Sequence, residues 1–137
     1  MKRIIVVLLL CLFLCVSSVS ASLPLTGKMI VIDVGHGGVD AGTSFGNILE
    51  KDLNLAIALK LQNTLSKNGA SVLMTRDGDY DLSSPNASRR KKSDFDNRIK
   101  LINDINPKLV ISIHQNYYKD SKYKGTQIFY KDNKKLI

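Results

Sequence analysis

The chain has 137 residues, of which 44% are hydrophobic, and its 20 Lys and Arg outnumber its 12 Asp and Glu. This length accommodates one domain and argues against two. Cys11 and Cys15 are the two cysteines, and their place in the first fifteen residues excludes a zinc finger, a disulfide scaffold and a catalytic cysteine in the folded part. Chemistry that needs a histidine or a glutamate therefore has three residues available: His36, His114 and the single glutamate, Glu50.

Residues 1–21 have the pattern of a secretory signal peptide. Lys2 and Arg3 precede an apolar run over residues 4–16, and small residues with a cleavage site after Ala21 follow it. An uncleaved anchor is the alternative, although a membrane-spanning helix needs about 20 apolar residues. We expect an exported protein that touches the membrane only through this segment. Its basic charge then favours an anionic wall polymer as partner, and export argues against nucleic acid.

The elements predicted for the rest of the chain alternate between strands and helices. Residues 22–28, with Pro24 and Gly27, predict a linker, and the β-branched run at 29–33 predicts a buried strand. The further predicted elements, in chain order, are a glycine-rich loop (34–47), a helix (50–67), a strand (70–75), a polar segment (76–92), a helix opened by a capping box at 93–96 and ending at 105, a strand (109–113), a polar loop (115–124) and a strand (125–130). Residues 131–137 predict no element.

Helical spacing predicts which faces of the two helices are buried. In the first helix the predicted buried face comprises Leu49, Leu53, Ala56, Ile57, Leu61, Thr64 and Leu65, widened by Leu55 and Leu59. In the second it comprises Phe95, Ile99, Ile102 and Ile105. Gly69 is suited to the left-handed position that ends the first helix. Arg76 is expected to form a structural ion pair with Asp77 or Asp79.

Continuous apolar strands alternating with helices predict an α/β fold with a mostly parallel sheet covered by helices on both faces. Sites in such sheets form beyond the carboxyl ends of the strands. His36 and His114 each follow a predicted strand, and Glu50 opens the helix after the glycine loop. All three are therefore expected at one rim of the sheet.

Two imidazoles, one carboxylate and a fourth position left to water describe a catalytic zinc site. Each residue also has an ordinary structural interpretation. His114 suits a hydrogen-bonded core position, His36 suits a turn, and Glu50 at a helix N-terminus is stabilised by the helix dipole by about 0.3–1 kcal/mol. Their common place at one rim favours the metal site over three separate structural roles.

Five segments resemble, in order, the motifs of zinc-dependent N-acetylmuramoyl-L-alanine amidases of the Amidase_3 family. They are residues 32–42 (IDVGHGGVDAG), 50–55 (EKDLNL), 72–76 (VLMTR), 112–116 (SIHQN) and 125–130 (GTQIFY). The match covers essentially all of residues 29–130. The insert before the second helix, with the basic residues 89–92 and then 94–98, looks most like the germination-specific, spore-cortex branch of the family.

The resemblance implies that His36, Glu50 and His114 are the ligands of Zn²⁺. It also implies hydrolysis of the amide between N-acetylmuramic acid and the L-alanine of the peptidoglycan stem peptide, by a water that the metal activates. In the cortex branch the stripped muramic acid becomes muramic-δ-lactam after a separate deacetylase acts, and an accessory protein is a possible partner. Two minor departures are Val34, where the family usually has Pro, and Gln115, where small or apolar residues are common.

One departure is larger, because the family uses a second glutamate as general base and acid on a strand near the C-terminus of its domain. Such a group contributes about 10²–10⁴-fold to the rate. This sequence contains no glutamate other than Glu50. We expect residues 29–137 to be the N-terminal part of an amidase catalytic domain, with a fold incomplete at the C-terminus and little activity alone. The alternative is an inactive wall-binding remnant, or a fragment that needs a partner chain.

Overall fold

The computed structural model describes residues 22–118, 120 and 122–130. The elements, in chain order, are β1 (Met29–Val34), β2 (Ser44–Phe45), β3 (Ile48–Leu49), α1 (Glu50–Lys67), β4 (Ser71–Met74), α2 (Arg90–Ile105) and β5 (Leu109–Ile113). The predicted secretory signal lies outside the described residues. Within them, no helix combines the length and the apolar character that crossing a bilayer requires.

The central sheet has three parallel strands in the order β4-β1-β5. In its register Ile32 lies beside Met74 on one side and beside Ile111 on the other. Because the strands are parallel, their carboxyl ends all meet at one rim. β2 and β3 form a separate two-stranded antiparallel ribbon. β2 lies inside the segment predicted as a glycine loop, and β3 directly follows that segment. Gly46, at a φ of 57°, makes the turn between them.

The two helices lie on opposite faces of the sheet, as predicted, and the α2 face is the more open one, since Val110 of β5 is 40% exposed. Ile32 and Val34 form the apolar core with Ala58 of α1. Asp33 lies between them in β1 and so points to the other face. There its carboxylate meets the guanidinium of Arg98, which belongs to α2.

The predicted buried face of α1 is wrong for most of its members. Leu53 and Ile57 are more than two-fifths exposed at 43% and 44%, whereas Asn54 and Ala58 are fully buried. The buried stripe is therefore rotated towards Glu50, Asn54 and Ala58, with Leu55, Leu61 and Leu65 packed beside it. Its orientation follows a polar contact, since the side-chain amide of Asn54 donates to the carbonyl oxygen of Gly35. The predicted end of α1 is confirmed, because Gly69 has a φ of 93°.

α2 also differs from its prediction. It begins at Arg90 and not at the proposed capping box, because Ser93 and Asp94 accept hydrogen bonds from the upstream backbone amides of Ser84 and Leu82. Phe95 and Ile99, predicted to be inward, are exposed, and Arg98 is the residue that α2 buries. The helix faces a sheet rim rich in carbonyl groups, so the polar side chain turns inward.

The predicted strand at residues 125–130 is not formed. Ile128, Phe129 and Tyr130 are more than four-fifths exposed, at 82%, 85% and 88%. Residues that favour strands form one only when a neighbouring strand supplies backbone hydrogen bonds. Among the described residues no strand pairs with this segment.

Candidate metal site

The carboxyl rim of the sheet brings the two histidines and the glutamate together. His36 follows the end of β1 by two residues, Glu50 is the first residue of α1, and His114 directly follows β5. Their ligand atoms all lie within 4.8 Å of one another. The imidazole rings of His36 and His114 meet edge to face, with centroids 4.9 Å apart. The structure thus places all three predicted residues at one point.

One oxygen of Glu50 is the centre of this cluster. Its Oε1 lies 3.1 Å from Nε2 of His36 and 3.2 Å from Nδ1 of His114. Ligands of one tetrahedral zinc ion, at bond lengths of about 2.0–2.2 Å, lie about 3.4 Å from each other. Two imidazole nitrogens and a carboxylate oxygen are donors that zinc takes, and the two separations that involve Glu50 are close to this spacing.

The backbone fixes the Glu50 carboxylate in its charged form. The side chain is only 4% exposed. Its Oε2 accepts a hydrogen bond from the Thr43 amide at 2.8 Å, and its Oε1 accepts one from the Gln115 amide at 2.9 Å. Burial alone raises the pKa of Glu50, but these two amides and the neighbouring His36 outweigh it and lower the pKa below its usual value. The carboxylate is therefore held as an anion.

Asp40 orients His36 from the side away from Glu50. Its Oδ2 lies 2.9 Å from Nδ1 of His36, and its Oδ1 lies 2.8 Å from Nζ of Lys91. Burial acts to raise the pKa of Asp40, but Lys91, His36 and the Gly42 amide lower it to about 2. A carboxylate on one ring nitrogen of a histidine leaves the other nitrogen free to bind a metal. Asp40 thereby directs Nε2 of His36 into the site.

Two glycines leave the space that the ligand side chains fill. A Cβ on Gly35 would overlap the ring of His114, and one on Gly42 would lie 2.6 Å from both the Glu50 carboxylate and the His36 ring. His36 itself has a φ of 62°, in the left-handed region that residues other than glycine rarely adopt. Such strained backbone persists only where surrounding contacts hold it.

The expected ion pair of Arg76 with Asp77 or Asp79 is not formed among the described residues. Arg76 is 1% exposed, and its guanidinium donates to backbone carbonyls at the rim, including those of Val34 and Gly35. The prediction was wrong because it assumed that a charged arginine pairs with a carboxylate. In the structure its N–H groups donate to buried backbone carbonyl oxygens.

Sequence reasoning did not single out Asp40, Asn54 or Arg98. Asp40 follows His36 by four residues and contacts it, and Asn54 stands in the same relation to Glu50. A spacing of four residues could therefore have indicated these two contacts. Arg98 lies more than sixty positions from the carbonyls it contacts, at sequence separations of 62 and 64. Nothing in the local pattern indicates such a contact.

A cleft of about 690 Å³ opens beside His114. Tyr118 and Tyr123, two of the aromatic residues after β5, line it together with Gln115 and Lys124. Its volume lies in the range of small-molecule binding sites.

Fold and donor set together define an α/β protein with a possible His-Glu-His metal site at the carboxyl rim of its sheet. The family model for N-acetylmuramoyl-L-alanine amidase, Amidase_3, matches residues 30–136. The chain belongs to this family.

Three relatives illustrate the likeness. A germination-specific N-acetylmuramoyl-L-alanine amidase from Bacillus subtilis is 46% identical over 112 residues, which cover 80% of this chain and 47% of that protein. A probable cell wall amidase, LytH, from Staphylococcus aureus is 38% identical over 118 residues, covering 83% of this chain and 35% of that one. The CwlD amidase from Clostridioides difficile, solved in complex with the GerS lipoprotein, superposes with a TM-score of 0.66 at 36% identity, covering 70% and 52% of the two chains. The chain thus spans about a third to a half of the first two relatives' length.

Proposed function

We propose that this chain carries the metal-binding part of a zinc-dependent peptidoglycan amidase. The bond cleaved is the amide between N-acetylmuramic acid and the L-alanine of the stem peptide. The observation that carries the proposal is the convergence of His36, Glu50 and His114 within 4.8 Å in a chain of the amidase family. The residues 29–137 would form the N-terminal part of the catalytic domain, preceded by a signal peptide at 1–21 and a linker at 22–28.

His36, Glu50 and His114 would hold the zinc. When bound, zinc supplies Lewis-acid chemistry, since it polarises a carbonyl and lowers the pKa of water. The chain's own residues prepare this site. Asp40 holds one nitrogen of His36, and the amides of Thr43 and Gln115 keep Glu50 as an oriented anion. The cleft beside His114 would take the sugar and the stem peptide.

The proposal separates metal binding from catalysis. The family resemblance implies a second glutamate as general base, and this sequence has only Glu50. We infer that the 137-residue chain binds zinc and hydrolyses the amide slowly or not at all. A general base typically contributes about 10²–10⁴-fold to the rate.

The relatives also support a proposal for the setting. The 46% identity to a germination-specific amidase supports a role in spore cortex, where amide cleavage precedes muramic-δ-lactam formation. It also supports action outside the cytoplasm. The solved CwlD amidase is in complex with a lipoprotein, which supports an accessory protein as a partner for this chain as well.

Metal analysis of the purified chain tests the ligand assignment. We expect one zinc per chain in the wild type and none in His36→Ala, Glu50→Gln or His114→Ala. Asp104→Asn is the matched control, since that carboxylate pairs with Lys100 on the surface of α2. Full zinc occupancy in any of the three ligand variants would refute that ligand.

A second experiment measures amide cleavage, by labelling the new L-alanine amino groups released from purified cortex peptidoglycan. We expect little release by this chain, and robust turnover would show that another group replaces the missing base. The alternative function is a wall-binding remnant or a fragment that needs a partner chain. Co-sedimentation with peptidoglycan, without any release on adding zinc, would support that alternative.

A further inference from the structure

The carbonyl oxygens of three consecutive residues at the end of β1 are all held by buried arginines. The Val34 carbonyl accepts from Nε of Arg76 at 3.2 Å and also from Arg98. The Gly35 carbonyl accepts from Arg76 at 3.0 Å, and the His36 carbonyl accepts from Arg98 at 2.7 Å. The two guanidinium groups therefore bind the backbone from the end of β1 to His36, the first candidate metal ligand.

Both arginines are themselves fixed. Arg98 is 5% exposed, and its guanidinium lies 2.9 Å from Asp33 of β1 and 2.9 Å from Asp94, one turn earlier in α2. Arg76 is 1% exposed and donates also to the carbonyls of Lys51, in α1, at 2.7 Å and of Gly78 at 2.9 Å. Burial lowers the pKa of Arg76, and its donors remain available because arginine stays protonated. The contacts tie β1, α1 and α2 to one short stretch of backbone.

The backbone conformation of His36 explains why these hydrogen bonds matter. Its φ of 62° is unfavourable for a residue with a side chain. A planar guanidinium with a fixed fork of donors can bind two carbonyls at set angles, whereas a lysine ammonium is a single point. Two guanidinium groups that bind three successive carbonyl oxygens can hold the peptide planes on both sides of His36.

We propose that Arg98 and Arg76 are positioning residues, which hold the His36 backbone in the left-handed conformation that aims its ring at the metal site. This inference rests on the proposed zinc site. It concerns the chain's own geometry and adds no ligand to the metal.

The test compares Arg98→Lys and Arg76→Lys with the wild type as full chains. Zinc affinity is measured by competition with a chromophoric chelator, and Co²⁺ is added as a spectroscopic substitute. Loss of an outer partner of a metal ligand typically costs about 10- to 100-fold in metal affinity. We expect a loss of this size in each variant, with altered Co²⁺ visible bands. Arg89→Lys is the control, because Arg89 directly precedes the same helix and is exposed.

Arg98→Lys retains the positive charge beside Asp33 and Asp94, and Arg76→Lys retains the charge at its buried position. A role limited to charge balance would therefore leave the metal affinity unchanged. Wild-type affinity and bands in both variants would overturn the proposal. If Arg98→Lys does not unfold cooperatively, Asp94→Asn takes its place, because it loosens Arg98 without removing the guanidinium. Lack of zinc binding by the wild type would overturn the metal site itself, a result distinct from normal wild-type binding with unaffected variants.

Discussion

Gly35→Ala tests the placement of His114 with a single added methyl group. The backbone of Gly35 lies outside the left-handed region, so alanine can adopt it, and the perturbation is purely steric. The new Cβ would lie 2.6 Å from Nε2 and 2.7 Å from Nδ1 of His114, whereas ordinary contact begins at 3.4 Å. Cε1 of the same ring would lie closer still, so the ring must move by more than about 0.8 Å, whereas functional constellations tolerate about 0.5 Å.

The expected magnitudes separate metal binding from stability. Overpacking costs about 1–3 kcal/mol, but the His114 side chain is 49% exposed and can swing outward. Replacing glycine also stabilises the folded chain by about 0.4–1 kcal/mol through the unfolded state. The free energy of unfolding without metal should thus change by less than about 1 kcal/mol. Zinc affinity should fall about 10- to 100-fold, equivalent to about 1.4–2.7 kcal/mol.

Urea unfolding of the metal-free chain and zinc competition titration measure the two quantities. Gly78→Ala is the matched control, since its Cβ would meet only the Tyr80 ring at 3.4 Å and its backbone is also outside the left-handed region. Unchanged zinc affinity in Gly35→Ala would refute the assignment of His114 to the site. An equal loss in Gly78→Ala would show that the effect is not local.

Three further predictions follow from the same contacts. Asp40→Asn removes the charge that orients His36, so zinc affinity should fall by about 10-fold, and wild-type affinity in a competition titration would contradict the orienting role. Zinc at one hundred times its dissociation constant should raise the free energy of unfolding by about 2.7 kcal/mol, measured by urea unfolding with and without a chelator, and the same rise in His36→Ala would contradict the site. Burial raises the pKa of Asp81, but Arg90 and Ser83 outweigh it and lower the pKa below its usual value. The ionised carboxylate therefore stabilises the fold at pH values above the ordinary aspartate pKa of about 3.9. This stabilisation is lost as the pH falls through the lower pKa of the folded state. The difference in urea midpoint between wild type and Asp81→Asn should accordingly close as the pH falls, and a difference independent of pH would contradict it.

The meeting of His36, Glu50 and His114 was predictable because topology decides it. Continuous apolar strands predict a parallel sheet, and the carboxyl ends of parallel strands share one rim. His36 and His114 follow those strands and so lie at that rim, and Glu50 reaches it as the first residue of α1. Their role as metal ligands remains a proposal.

The helix faces were less predictable, because apolar spacing ignores polar contacts. Leu53 and Ile57 fit the pattern of a buried stripe, yet Asn54 is the buried residue because its amide reaches the Gly35 carbonyl. The same reasoning explains Arg98 in α2. Arg98 is buried because it donates to carbonyl oxygens that are distant in the sequence, and apolar periodicity does not register such contacts. The pattern therefore predicts that its apolar neighbours are buried instead.

The five buried polar side chains among the described residues share one task. They are Glu50, Asn54, Thr75, Arg76 and Arg98. Thr75 accepts from the Val34 amide at 2.9 Å, and the other four contact the backbone between residues 34 and 43. No buried side-chain nitrogen or oxygen in the described part of the chain lacks a partner. An apolar core cannot fix the orientation of a backbone turn, because apolar contacts have no direction, whereas each of these hydrogen bonds does. The apolar half of β1 therefore stabilises the sheet, and the polar groups around its end determine where His36 points.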